Sequence, residues 1–459
     1  ERIGNAQMSH NPELWMSDYV KKPKWDYTQG LIAKAMLRLY SQTENDAYLT
    51  YVQNFADYFV QPDGSIKTYK MRDYNIDRVN GGNFLFDLYT YNTQACYQAA
   101  IDTLREQMLT HPRTTDGGFW HKKIYPYQMW LDGIYMAEPF LARYASERGD
   151  TSIYSDVVHQ FITIDAHTRD AHTGLNYHGW DESREQAWAD KTTGCSPNFW
   201  ARSIGWYVMA IVDVLDYLPA ECEGRPQLID ILNRVCNALL HYQDHQTGMW
   251  YQVVDKGDQE GNYLESSGTI MYVYAMAKGA RKGYLPQHFM QTARRAFDGI
   301  CQHSTQINAD STTSITRCCA VAGLGGKPYR SGTFEYYVNE EVRNDDPKSV
   351  GPFILAALEL AQATPHFLVA ADGTGDFRSI QEAVNAVPDY RKTRTIIHVK
   401  AGTYRERVII APSKQLLSII GDGAEQTRLV FDNHARTPSI SGETLGTSGS
   451  ATLYAAADD

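Results

Sequence analysis

The chain has 459 residues, 43% apolar and 21% charged, with 43 Lys and Arg against 54 Asp and Glu for a net charge of −11. That balance excludes a disordered or coiled-coil chain and argues against a nucleic-acid or anionic-membrane binder. The length predicts one large domain with an appendage, or two to three smaller ones.

In chain order, six strongly apolar helical segments begin at or just after a glycine: Gly30, Gly82, Gly133, Gly205, Gly268 and Gly351. More amphipathic helical segments run between them, such as DAYLTYVQNFADYFV from Asp46, YSDVVHQFITIDAHT from Tyr154 and LIDILNRVCNALLHYQDH from Leu228. Asp/Gly turns echo one another in the connections: DAHTGLNY from Asp170 and DHQTGMWY from Asp244. A helix pair repeated six times cannot bury its apolar faces alone, so the repeats must stack. An open solenoid would need polar caps, and none is evident. The prediction is therefore a mainly α fold, an (α/α)6 barrel of six helix hairpins with the more apolar helices inside.

The texture changes at Ala363–Pro365. From Phe367 onward come short β-rich runs (FLVAA, TIIHVK, RVIIA, LLSIIG, TRLVF) with Gly/Asp turns and one helix, SIQEAVNAV. Strands of this length and spacing predict a short, incomplete right-handed parallel β-helix segment. The expected domains are 1–363 and 364–459.

A ring of hairpins brings the loops that feed the inner helices to one mouth, so acids, cations and aromatics in those loops are the site candidates. Asp77 stands just before the second inner helix, and Trp130 and Asp132 at the start of the third. Facing carboxylates can divide the work of general acid and general base. The bland alternative is that each Asp caps a helix. Ahead of the fourth inner helix lie His178, Trp180, Trp188, Trp200, Arg202 and Trp206. Arg beside Trp offers a forked donor for a carboxylate with ring faces for stacking, although Arg tying loops and Trp filling core would look the same. The 9 Trp and 31 Tyr of the chain suit either use.

The seven cysteines are widely spaced with no CxxC, which argues against a disulfide framework or a zinc module and for scattered buried thiols. His241 and His245 are four apart, but without an HExxH or a third ligand nearby. No cofactor and no metal are expected. No apolar run approaches the ~18 residues a membrane span needs. The chain begins at Glu1, which is compatible with a removed leader.

At WDYTQG (25–30), NIDRVNGG (75–82), MWLDGIYMAEPF (129–140), TGLNYHGWD (173–181), WARSIGWYVMAI (200–211) and ESSGTIMYVYA (265–275), the chain resembles the unsaturated rhamnogalacturonyl hydrolases of glycoside hydrolase family 105. The resemblance implies an (α/α)6 barrel acting on pectic oligosaccharides with a Δ4,5-unsaturated galacturonyl residue at the non-reducing end, and with that substrate export to a bacterial periplasm or cell surface. It implies hydration of the C4=C5 bond with Asp132 as general acid/base and Asp77 as its partner. His178, Trp200, Arg202, Trp206, Trp130 and Lys122 match substrate-contacting positions. A related glucuronyl hydrolase is the nearest alternative. A conventional inverting glycosidase using Asp77 and Asp132, with carboxylates about 6.5–9.5 Å apart, is another. A glycan-binding barrel without catalysis would keep the Trp and Arg cluster but not need Asp132. The tail, from FLVAADGTGDFRSIQEAV through IIGDGAEQTRLVF, resembles the opening of a pectin methylesterase. That family's catalytic residues lie in later coils, so no esterase activity is expected, and a longer parent protein is.

Overall fold

In the computed structural model, which describes residues 1–362, 366–391, 394–439 and 442–457, the chain divides into two compact units, Glu1–Leu360 and Ala361–Asp459. The expected boundary at 363/364 lies outside the described residues.

The first unit is an (α/α)6 barrel. Its hairpins run α1 (Arg2–His10) to α2 (Tyr27–Thr43), and α3 (Asp46–Phe59) to the broken helix α4 (Ile76–Asn80) and α5 (Asn83–Tyr91). They continue as α6 (Ala95–Leu109) to α7 (Leu131–Arg148), and α8 (Ile153–Thr168) to α9 (Ala201–Val214). The last two join α10 (Arg225–Leu240) to α11 (Ser266–Arg281), and α12 (His288–His303) to α14 (Pro347–Gln362), with the short α13 (Phe334–Val338) in the connection. In each pair the second helix is the inner one. All fourteen residues of α9 are buried, whereas α12 buries one face only.

The leading glycines let inner helices touch. A Cβ on Gly30 would fall within 2.9 Å of the Gly81 backbone, and one on Gly268 within 2.8 Å of Ala201. Gly351 closes the ring against Leu31, where a Cβ would come within 2.7 Å of that side chain. Pro139 sits inside α7 and cannot donate to Tyr135 four residues back. The Asn80 amide donates to that carbonyl instead, at 2.8 Å, so the kink-prone point is tied to α4.

At the end of the barrel away from the inner N-termini, Asp213 of α9 accepts from Lys34 (2.7 Å), Lys278 (2.6 Å) and the Tyr274 hydroxyl (2.6 Å). One buried carboxylate thus joins α2, α9 and α11.

Long connections at the inner N-termini carry short antiparallel pairs: β1 (Gln128–Trp130) with β2 (Gly179–Asp181), β3 (Thr305–Ile307) with β4 (Thr313–Ile315), and β5 (Cys318–Cys319) with β6 (Val342–Arg343). All seven cysteines are free; four are buried, while Cys301 is exposed. Among the described residues, no helix is long and apolar enough to cross a membrane.

The second unit begins with β7 (His366–Val369) and α15 (Ile380–Ala386), which opens with a capping box between Ser379 and Glu382. Three strands follow, β8 (Thr395–Val399), β9 (Gly402–Arg405) and β10 (Val408–Ile410), and then β11 (Leu417–Gly421), β12 (Thr427–Val430) and β13 (Leu453–Ala455). Each strand of the second set pairs in parallel with its counterpart in the first: β8 with β11, β9 with β12, β10 with β13. This is a parallel β-helix with three strands per turn. Its core is Val369, Ile380, Val384, Ile397, Val399, Tyr404 and Val408 with their neighbours.

Candidate active site

Both candidate aspartates lie in the first turn of an inner helical segment, and neither caps it. Asn75 is the cap of α4, its side chain accepting from the Asp77 N–H at 3.0 Å. Trp130 is the cap residue of α7 and makes no side-chain cap bond. The helix-capping explanation for Asp77 and Asp132 therefore fails. Both carboxylates are free for other work, in a position where a helix N-terminus favours negative charge.

The Asp132 Oδ2 lies 3.1 Å from Nε2 of His178, which is fully buried. The pair is close but not aligned as a hydrogen bond, and neither atom has another partner among the described residues. The other ring nitrogen, Nδ1, is 2.7 Å from the hydroxyl of Tyr337 in α13. Burial pushes the Tyr337 phenol well above its ordinary pKa, so it keeps its proton. When that hydroxyl donates to Nδ1, His178 turns an Nε2–H toward Asp132.

Asp77 is held from the other side. Its Oδ2 lies 2.5 Å from the Lys122 ammonium and its Oδ1 3.4 Å from His121 Nε2. Burial is the largest influence on Lys122 and works against its charge, yet Asp77 beside it keeps the ammonium above the ordinary lysine range. Burial first, and then Lys122, push His121 well below the usual histidine range, so it is neutral. The mouth thus contains one carboxylate tied to a cation and a second facing a histidine.

Trp130 joins the two halves. Its ring stacks with His121 (4.5 Å, 13°) and Tyr125 (5.0 Å, 18°), and meets His178 edge-on at 5.6 Å. The β1–β2 pairing sets Trp130 opposite Gly179, which brings the third and fourth loops together. Trp200 packs tilted against His178 (4.7 Å) and stacks on Tyr337 (5.9 Å, 17°), with its indole N–H on Gln252.

Two candidates sit differently from the sequence reading. Arg202 is buried, and its guanidinium is committed to the protein: Nε to Ser267 at 2.8 Å, Nη1 to the Ala320 carbonyl at 3.2 Å, and Nη2 to the Cys319 carbonyl. Its fork is not free for a ligand carboxylate, because β5 folds over it and supplies carbonyls in the right place. Trp206 is buried as well, stacked on Tyr135 (4.8 Å) with Tyr27 at its edge (6.1 Å). Of the predicted set, Asp77, Lys122, Trp130, Asp132, His178 and Trp200 converge, while Arg202 and Trp206 pack into the barrel wall.

Sequence reasoning missed His121, Tyr125 and Tyr337. The first two flank Lys122 in HKKIY and could have been suspected from proximity. Tyr337 lies 205 residues after Asp132, with no local pattern to distinguish it. Among the described residues, no group of three or more His, Cys, Asp or Glu could hold a metal ion.

Comparisons with known proteins bear on the family and the fold. Residues 1–364 match the family model described as Glycosyl Hydrolase Family 88, and residues 366–458 match the pectinesterase model. A solved glycoside hydrolase from family 105 of C. acetobutylicum ATCC 824 is 41% identical with a TM-score of 0.75, over 78% of this chain and 98% of that one. The Bacillus subtilis unsaturated rhamnogalacturonyl hydrolase YesR is 24% identical over 56% of this chain and 71% of its own length. Pectinesterase 5 of Arabidopsis thaliana is 44% identical over 81 residues of the tail, which amount to 14% of that protein.

Proposed function

The chain belongs to Glycosyl Hydrolase Family 88, and from that premise we propose that it removes a Δ4,5-unsaturated galacturonyl residue from the non-reducing end of pectic oligosaccharides by hydrating the C4=C5 bond. The observation that carries this reading is the Asp132 carboxylate 3.1 Å from the buried Nε2 of His178, whose Nδ1 is held by the Tyr337 hydroxyl at 2.7 Å. The similarity to YesR, an unsaturated rhamnogalacturonyl hydrolase, lends the substrate class.

In this mechanism Asp132 delivers a proton to C4, and a positive charge develops at C5 and the ring oxygen. Asp132, now ionised, takes a proton from the water whose oxygen bonds to C5. The resulting hemiketal opens to a 5-keto chain, and the hemiacetal left at C1 expels the next sugar as its free alcohol. No saturated anomeric bond is attacked. His178, held by Tyr337, orients the Asp132 carboxyl. Lys122 offsets the Asp77 charge and draws the substrate carboxylate, the role that the buried Arg202 fork cannot fill. Trp130 and Trp200 wall the ring in and keep bulk water from the developing charge. Arg202 and Trp206 support the floor rather than meet the sugar.

The test is loss of the ultraviolet absorbance of the conjugated uronate from an unsaturated galacturonyl-rhamnose disaccharide, beside its saturated counterpart and an unsaturated glucuronyl analogue. Decay with rhamnose released only from the unsaturated galacturonyl sugar supports the proposal. Cleavage of the saturated sugar would establish an ordinary glycosidase, and a strong preference for the glucuronyl analogue would move the substrate class. Asp132→Asn should abolish the decay.

For residues 366–458 we propose no methylesterase activity. Two carboxylates there are taken up locally: Asp422 with His398 at 2.8 Å and the Ala401 N–H at 2.8 Å, and Asp372 with the Thr374 N–H and hydroxyl. Methanol release from methyl-esterified pectin by this chain would refute it.

A further inference from the structure

The connection from β5 to α13 runs along the mouth. Ala322 packs with Trp200 and Tyr337, and Leu324, two residues on, packs with Trp130 and Trp188. The stretch therefore touches both aromatic walls of the candidate active site. Gly325 and Gly326 take left-handed φ angles of 65° and 81°, which glycine adopts without strain. The chain folds back there, so that Gly325 and Arg330 exchange backbone hydrogen bonds at 2.8 and 3.2 Å.

Arg330 comes to lie against the Trp130 wall. Its guanidinium is 5.7 Å from the Trp130 ring centre and 5.6 Å from that of Tyr125. Nε donates to the Gly325 carbonyl at 2.8 Å, and Nη2 to the Tyr125 hydroxyl at 2.9 Å and the Leu324 carbonyl at 3.0 Å. These bonds fix the plane of the fork, and none of them is to a carboxylate. Arg330 is half-buried, and its remaining terminal nitrogen, Nη1, keeps solvent access and makes no hydrogen bond among the described residues. Gly323 leaves that nitrogen its place, since a Cβ there would collide with it. A planar cation held by its other donors binds a ligand oxygen at little cost in side-chain freedom.

The charges select the ligand. The mouth sets two carboxyl groups, Asp77 and Asp132, against one ammonium, and Lys122 is already 2.5 Å from Asp77. A uronate brings a third carboxyl group, while the Arg202 fork is spent on Ser267 and backbone carbonyls. Burial is the main influence on His121 and on the Tyr337 phenol, but the Arg330 charge acts on both. Its field thus reaches the histidine beside Asp77 and the hydroxyl behind His178.

We propose that Arg330 is a specificity-determining residue of this site, its free Nη1 seating the carboxylate of the unsaturated galacturonyl residue that Lys122 draws in. The proposal rests on the pectic reading of the same site. A charge-assisted bond of this kind is about twice as strong as a neutral one, and a methyl ester forfeits it. Ester hydrolysis of the terminal uronate therefore precedes its removal.

The experiment compares unsaturated galacturonyl-rhamnose as the free acid and as its methyl ester, by decay of the ultraviolet absorbance, in the parent, Arg330→Met and Arg330→Gln, with a thermal melt of each. The parent should favour the acid in kcat/KM by about tenfold or more, the worth of one charge-assisted bond. Both variants should bring that preference to within about threefold, the loss falling on KM for the acid. Arg330→Gln keeps a donor for the loop carbonyls, so it carries the test if Arg330→Met melts early. Equal use of acid and ester by the parent, or a preference left intact in the variants, would overturn the proposal; so would an equal loss on both substrates, which would make Arg330 a support of the loop only. The same two ligands are titrated calorimetrically into the chain carrying Asp132→Asn, with and without Arg330→Gln. If the parent hydrolyses neither, the proposed reaction fails, yet an acid preference in binding that Arg330→Gln erases still upholds the role of Arg330; binding without that preference overturns it.

Discussion

Replacing Tyr337 by Phe tests whether the buried relay behind Asp132 does what its geometry implies. The substitution deletes one oxygen, 2.7 Å from His178 Nδ1, and keeps the ring that stacks on Trp200. A buried ring nitrogen left without a partner costs about 1–3 kcal/mol. His178 can relieve that cost only by turning away from its present orientation, and Nε2 would then no longer face Asp132. If the misoriented state is favoured by the whole of that penalty, the competent fraction falls about 5- to 150-fold, at 1.36 kcal/mol for each factor of ten. Tyr337 is fully buried, so the loss should fall on kcat with KM nearly constant. The assay is steady-state decay of the conjugated-uronate absorbance across a pH series, with a thermal melt to show that the barrel is intact. A kcat within twofold of the parent, with an unmoved pH profile, would refute the relay and leave Tyr337 as packing only.

Lys122→Met should lower kcat/KM by tenfold or more, because the ammonium 2.5 Å from Asp77 is gone; a kcat/KM within twofold of the parent would contradict this. Asp213→Ala should destabilise the barrel by about 1.5–3 kcal/mol in urea unfolding followed by tryptophan fluorescence, since it strips a charged acceptor from the half-buried Lys34 and from the buried Lys278, which keeps Asp216 at 2.6 Å. Although burial is the largest influence on Asp213 and opposes its charge, the two lysines hold it well below the ordinary carboxylate range. Its contribution is thus present above about pH 4 and lost as the pH falls further, so the gap between variant and parent should narrow in acid. Glu138 of α7 is the opposite case: burial, with a smaller push from Asp156, raises its pKa well above normal. A raised folded-state value means stability is full below about pH 4 and declines as the pH rises. Glu138→Gln should therefore match the parent near pH 4 and melt higher than it at neutral pH; equal melting temperatures at both would show that Glu138 is ionised in the fold.

Much of the fold could be read from the residues. The apolar runs after Gly30, Gly205, Gly268 and Gly351 are helices because their side chains repeat at helical spacing, and they are inner helices because nearly every face is apolar. The second inner helix is less simple: Gly81 and Gly82 break it into α4 and α5. The strands of the tail were legible from their short apolar runs, but not their pairing. The partner of β10 lies beyond a long excursion, at Leu453–Ala455. The site was legible in its carboxylates, because Asp77 and Asp132 sit in the loops that a ring of hairpins gathers at one end.

The sequence by itself determined the repeat, the two textures and the acids that meet at the mouth, since periodicity and turn residues are local properties of the chain. Only the tertiary structure decided what surrounds those acids. Tyr337 reaches His178 across 159 residues of chain, and the backbone carbonyls that absorb the Arg202 guanidinium come from 117 and 118 residues away. A side chain's free donors are fixed by whatever folds against it, and no spacing in the chain records that a carbonyl will arrive there.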